Sequence, residues 1–174
     1  NGLKLISDIH SAETNASGHT VNLWYTERIS CDDYLSALAW MSDRYKNDDT
    51  IIAYDLKNEP HGKPYEGSEA AKWDASEDDN NWRYVATEAA MTVLSNNPNA
   101  LVMVEGTEIY PVDIKSNGDF SSTNEDDYYF NWWGGNLRGV ADYPIDLGEY
   151  QDKLVYSPHD YGPTVYEQPW FSGN

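Results

Sequence analysis

The tripeptide Asn58-Glu59-Pro60 closes an apolar run, Thr50-Ile51-Ile52-Ala53-Tyr54-Asp55-Leu56. A strand that ends in a carboxyl group holds it at the rim of a low-dielectric region. Desolvation at such a rim favours the protonated form, which is the form a general acid needs at neutral pH. Asn58 adds an amide N–H able to donate to a substrate hydroxyl. Pro60 has no N–H, so it ends strand pairing and starts a loop. A strand-end Glu on its own is more often solvated than catalytic, so the company it keeps matters. His10 follows the run Leu3–Ile9, Glu105 follows Ala100–Val104, and His159 and Tyr161 follow Lys153–Ser157. These are groups that bond a polar substrate or orient a carboxylate.

The elements that must carry them are readable from pattern. Leu3-Lys4-Leu5-Ile6-Ser7-Asp8-Ile9-His10 reads as a short, mostly buried strand. Ser30-Cys31-Asp32-Asp33 resembles a capping box, opening a helix with apolar positions Leu35, Leu38, Met41 and Tyr45. Asn81 caps a second helix, in which Trp82, Val85, Ala86, Ala89, Ala90, Val93 and Leu94 repeat at helical spacing until Asn96-Asn97-Pro98 stops it. No long amphipathic pattern lies between Gly106 and Lys153, and the run Glu125-Asp126-Asp127 reads as a solvated loop. Strand starts near 3, 50, 100 and 153 alternate with helices, which argues a parallel sheet. Eight such units need about 400 residues, within the range of large (β/α)8 barrels. The expectation for 174 residues is therefore an α/β fold that is part of such a barrel, or a small doubly wound sheet. Polar groups at all the strand ends favour the barrel, whose sites lie on that face. A doubly wound sheet concentrates its ligand at one switch point.

Composition excludes several classes. Eleven Lys and Arg against 30 Asp and Glu give a formal charge of −19, which repels nucleic-acid phosphates. No apolar run approaches the roughly 18 residues of a membrane span. The single Cys31 rules out an internal disulfide and a cysteine-based zinc site. No His, Asp or Glu spacing demands a metal, and no cofactor is expected; the acidic stretch Asp74–Asp79 lacks the EF-hand pattern. Seven Trp and 14 Tyr against 3 Phe point to amphipathic aromatic surface suited to a ligand such as a sugar ring.

The segment Asp55-Leu56-Lys57-Asn58-Glu59-Pro60-His61-Gly62 resembles the acid/base strand of the glycoside hydrolase family 5 cellulases. Asp8-Ile9-His10 resembles the preceding strand, and Val102-Met103-Val104-Glu105-Gly106 the next. Trp132-Trp133-Gly134-Gly135-Asn136-Leu137 with Tyr143-Pro144 resembles a loop of the bacterial endoglucanases, and Leu154–Tyr161 the strand with His-x-Tyr. Gln168-Pro169-Trp170-Phe171 resembles the segment after it, so the resemblance runs in order over residues 1–174. It implies a retaining β-1,4-glucan endohydrolase domain, incomplete at both ends and spanning strands three to six of eight. Such enzymes use two carboxyl groups about 5–5.5 Å apart. The resemblance makes Glu59 the acid/base and Asn58 its neighbour on the sugar 2-hydroxyl. His10, His159 and Tyr161 line the site, with Tyr161 placed to donate to the nucleophile. The nucleophile, a Glu on a later strand, is expected outside the chain. Glu149, in Gly148-Glu149-Tyr150, precedes the His-x-Tyr strand and so stands in the wrong order.

Trp132, Trp133 and Trp170 follow strand ends and are candidates for sugar stacking, whereas Trp24, Trp40, Trp73 and Trp82 are expected to pack. His19 and His61 are expected to face solvent, and Glu105 to bond interior groups more than substrate. The implied partner is a β-glucan, acted on outside the cell. The 174 residues alone are expected to be inactive without the missing strands. Mannan or mixed-linkage glucan as substrate stays open, as does a non-catalytic carbohydrate-binding fragment. An esterase is disfavoured because no Gly-x-Ser-x-Gly elbow is present.

Overall fold

The computed structural model describes residues 2–13, 21–116 and 118–172; His19 lies outside them. Two 15-residue helices, α1 (Cys31–Tyr45) and α2 (Trp82–Asn96), alternate with the strands β1 (Leu5–Asp8), β2 (Ile51–Asp55) and β3 (Leu101–Val104). A hairpin of β4 (Ile109–Pro111) and β5 (Tyr128–Phe130) precedes β6 (Leu154–Tyr156). The strands β1-β2-β3-β6 form one parallel sheet in that order. All four strands expected from the apolar runs are therefore in the sheet, adjacent in chain order.

The helices form where their caps and faces dictate. Ser30 and Asp33 make the reciprocal capping box that opens α1. Asn81 accepts from the Tyr84 N–H to open α2. All seven positions of the α2 stripe are buried. On α1 the buried face is Cys31, Tyr34, Leu38 and Ser42, rotated from the expected stripe. Ser42 is tolerated there because its hydroxyl donates to the Leu38 carbonyl at 2.8 Å and accepts from Asn96 of α2 at 3.0 Å. Trp40 contradicts the packing expectation: it is 65% exposed. Two residues on from Leu38, it points about 200° around the helix, away from the core.

One further expectation fails. Strand β1 is mostly exposed, with Leu5 and Ile6 each at 52%, because it is an edge of the four-stranded sheet. The hairpin β4–β5, registered Ile109↔Phe130 and Pro111↔Tyr128, occupies the stretch without a long amphipathic pattern. Its three-residue strands are too short for a periodic signal. The acidic run Glu125–Asp127 is an exposed 3-10 turn leading into β5. Trp24, Trp73 and Trp82 are buried as expected. Their polar edges also do positioning: Trp82 Nε1 donates to the Glu105 carbonyl at 2.9 Å, and Trp73 Nε1 to the Tyr143 carbonyl at 2.9 Å. Among the described residues no helix is long and apolar enough to cross a membrane.

Candidate active site

The sheet ladder continues past the strand ends and delivers polar groups to one mouth. Leu56 N donates to the Met103 carbonyl at 3.1 Å, Asn58 N to Ile9 at 3.0 Å and Ser157 N to Val104 at 3.0 Å. Ile9 immediately precedes His10, so the same bonds bring the ends of β1 and β2 side by side. Tyr34 of α1 pins the base of this extension through its hydroxyl to the Leu56 carbonyl at 2.8 Å.

Glu59 sits at the centre, with its side chain 9% exposed. His159 Nδ1 lies 3.0 Å from Glu59 Oε1, and the Tyr161 hydroxyl donates to the same oxygen at 2.9 Å. Two partners on one oxygen fix the plane of the carboxylate. The other ring nitrogen, His159 Nε2, is 3.1 Å from Glu105 Oε1. The bonds to Glu105 and Glu59 push the His159 pKa up from 6.5 to about 10, so the ring is an imidazolium clamped between two carboxylates at neutral pH. Burial and the bond to Glu59 push Tyr161 up to about 12, which keeps it a donor.

The backbone at Glu59 is unusual. Its φ is +50°, in a region that side chains other than glycine rarely adopt, at a cost of about 1–3 kcal/mol. Both of its backbone polar groups are held there. The N–H donates to Glu105 Oε2 at 2.8 Å, and the carbonyl lies 2.6 Å from His61 Nδ1. Glu105 is fully buried, and burial raises its pKa. It therefore acts on Glu59 twice, through the backbone and through His159. Beneath this layer are Asp55, raised to about 7 by burial and by Glu105 and Asp8, and Lys57, lowered to about 8 by burial. The Lys57 ammonium donates to the Asn58 carbonyl.

Gly134 closes over the pair. Its φ is +69°, and a Cβ there would collide with Glu105 Oε2 and approach the Glu59 Cα at 3.2 Å. Gly134→Ala is expected to cost about 1–3 kcal/mol from overpacking alone, measured by denaturant unfolding. A change below 0.5 kcal/mol would show that the Trp133–Gly135 loop gives way freely.

The remaining sequence-selected residues fall as follows. Asn58 is buried beside Glu59, and His10 is half-exposed at the end of β1, with Nδ1 2.8 Å from Asp8 Oδ2. A cleft of about 720 Å³ opens on Glu59 and Tyr161, with Trp132 and Trp133 in its wall. Trp132 meets Tyr161 edge-on at 5.3 Å, and Trp170 packs on Trp132 and Phe130 at 5.9 and 5.6 Å. Tyr161 donates to Glu59 at 2.9 Å, a bond that the resemblance did not announce. Glu149 lies exposed on a 3-10 turn. His61 contradicts the expectation of a solvent-facing side chain: it is partly buried, stacked on Trp133 at 4.0 Å with ring planes 7° apart. Its role depends on Trp133, 72 positions away, so no local pattern announces it. Glu105 and Glu108 are likewise set by distant contacts; the sequence signals for Glu105 are its place at a strand end and the resemblance of the strand that carries it. Among the described residues no group of three or more His, Cys, Asp or Glu is arranged to hold a metal.

The His159 geometry carries a pH prediction. A pKa raised on folding means the imidazolium stabilises the fold. That contribution is complete below about pH 6.5 and is lost as pH rises through about 10. An NMR titration of the His159 ring should give a midpoint well above 8; a midpoint near 6.5 would contradict the clamp.

The cellulase model, glycosyl hydrolase family 5, matches residues 1–174. The chain is 53% identical to Endoglucanase B of Acetivibrio thermocellus, over 99% of the chain and 32% of that protein. It is 48% identical to Endoglucanase G of the same organism, over 98% and 33%. The endocellulase of the archaeon Pyrococcus horikoshii, solved also with cellotetraose, superposes with a TM-score of 0.78 at 34% identity, covering 98% of this chain and 43% of that one. The chain thus spans about a third of the length of these relatives and under half of the solved one. Its four parallel strands and their helices are part of a (β/α)8 barrel. On the match over its whole length, this chain belongs to the cellulases of glycosyl hydrolase family 5.

Proposed function

We propose that this segment supplies the acid/base half of a retaining endo-β-1,4-glucanase, with Glu59 as the proton donor and returning base. The observation that carries the reading is the Glu59 carboxylate on an aromatic-walled cleft, its Oε1 fixed by His159 and Tyr161 and its backbone held in a strained turn. In that role Glu59 protonates the glycosidic oxygen as the bond breaks, then takes a proton from water in the second step. Asn58 and His10 stand at the same mouth to bond sugar hydroxyls, and Trp132 and Trp133, with Trp170 packed against Trp132, build the wall on which pyranose rings stack.

The nucleophile in this proposal is a carboxylate from the part of the barrel that the chain does not span. Glu105 is unsuited to it. It is fully buried, and its oxygens serve the Glu59 N–H and His159. It follows that the 174 residues by themselves do not hydrolyse β-glucan, and that the catalytic domain containing them does. A role outside the cell fits a chain 31% identical to the major extracellular endoglucanase of Xanthomonas campestris. The test is carboxymethylcellulose hydrolysis by such a domain, with the anomer first released read by proton NMR. The β-anomer is expected; an α-anomer would rule out the retaining mechanism, and turnover by the 174 residues alone would relocate the nucleophile within them.

A further inference from the structure

A second buried carboxylate belongs to the lining of the same cleft, beside the aromatic wall. Glu108 is 2% exposed and follows β3 by four residues. Its Oε1 is 3.2 Å from Lys63 Nζ and accepts from Trp133 Nε1 at 3.1 Å. Its Oε2 accepts from the Gly62 N–H at 3.0 Å. Burial raises its pKa, and the Gly62 and Lys63 contacts oppose that. The charge of Lys63 also lies 4.6 Å from the centre of the Phe130 ring. One carboxylate therefore ties together the turn after Glu59 and the loop after β5.

The consequence falls on Trp133. Its indole is 38% exposed, in the wall of the cleft, and lies flat on His61. His61 in turn contacts the Glu59 carbonyl. An indole on a loop can swing about two side-chain bonds, and ordering it on binding costs affinity. The N–H bond to Glu108 sets its rotation, and the His61 ring sets its tilt. Hydrogen bonds to a buried charge are the stronger kind.

We propose that Glu108 is a positioning residue that locks the Trp133 indole as a rigid platform for a pyranose ring of the bound glucan. This rests on the reading of the cleft as a β-glucan site. Glu108 acts through Trp133 and Gly62, so its removal weakens binding and leaves the chemistry at Glu59 largely intact.

The test is steady-state kinetics of the catalytic domain that carries this segment, with cello-oligosaccharides of increasing length. Glu108→Ala and Trp133→Ala are each expected to raise KM about tenfold with kcat changed less than about twofold. The double variant is expected to be no worse than the poorer single one, because the two residues form one unit. Glu108→Gln keeps an acceptor oxygen without the charge, and Trp133→Phe keeps a ring without the N–H. Glu108→Gln preserves volume, Trp133→Phe gives up part of the stacking face with the N–H, and both are expected to raise KM about threefold, so the answer does not depend on Glu108→Ala folding. Unchanged KM in these conservative variants, multiplying losses in the double variant, or a loss confined to kcat would overturn the role of Glu108 alone. Wild-type enzyme that leaves the oligosaccharides uncut would overturn this inference together with the glucanase reading.

Discussion

Replacing Glu59 by glutamine in the catalytic domain that carries this segment is expected to lower kcat on β-1,4-glucan by about 10²–10⁴-fold. That range corresponds to about 3–5 kcal/mol of lost transition-state stabilisation. Glutamine preserves the shape of the side chain and can still accept from the Tyr161 hydroxyl, now 2.9 Å from Glu59 Oε1. What it lacks is the proton that a glucosyl leaving group requires. An aryl leaving group such as dinitrophenolate departs as a stable anion and needs little protonation, so the loss of its first step should shrink to less than about tenfold. The split between poor and good leaving groups is therefore the signature, and the size of the loss alone is not. Equal losses for both would show that the proton comes from elsewhere.

Removing the carboxylate of Glu105 is the second large effect. Glu105 is fully buried beside His159 and accepts from the strained Glu59 backbone. Glu105→Ala leaves the imidazolium with one carboxylate instead of two and the Glu59 N–H without its acceptor. Breaking a buried ion pair by deleting one partner costs about 3–5 kcal/mol. Against a total of about 5–15 kcal/mol, that is at least about a fifth of the stability. Glu105→Gln keeps an acceptor but presents an amide N–H to a ring already donating from both nitrogens. It should cost less, and it should lower the His159 pKa from its value of about 10, because the bond to Glu105 is the largest cause of that shift. Urea unfolding with the His159 titration would measure both. A stability loss for Glu105→Ala under about 1 kcal/mol, with His159 unmoved, would remove Glu105 from the account.

These two carboxylates show what the sequence discloses and where it stops. Glu59 is legible because an apolar run, a carboxylate and a proline stand consecutively, and because the repeat of apolar runs puts four such ends in one sheet. The caps at Ser30 and Asn81 and the α2 stripe are legible because their causes lie within a few residues. Glu105, His61 and Glu108 owe their roles to partners in other segments. Their local surroundings look like an ordinary strand end, loop or strand. The aromatic wall is half legible. Trp132 and Trp133 stand out by type, but the β4–β5 hairpin that raises them has strands of three residues, one ending in Pro111. Exposure is the least legible property. Trp40 and β1 look buried by composition, and the orientation of one helix and the position of one sheet edge decide otherwise.

The most direct measurement of the central claim is the stereochemistry of azide rescue in Glu59→Ala. With a dinitrophenyl β-cellobioside, the first step still proceeds, and a glycosyl-enzyme accumulates because no base activates water for the second. Azide carries no proton to remove, fits the space the carboxylate vacates, and attacks from the face the leaving group left. Two displacements restore the starting configuration. If Glu59 is the acid/base, added azide should restore turnover and the product should be the β-glycosyl azide, identified by the coupling of its anomeric proton. An α-glycosyl azide would record a single displacement and make Glu59 the nucleophile, and an absence of any rescue would place it outside the chemistry altogether.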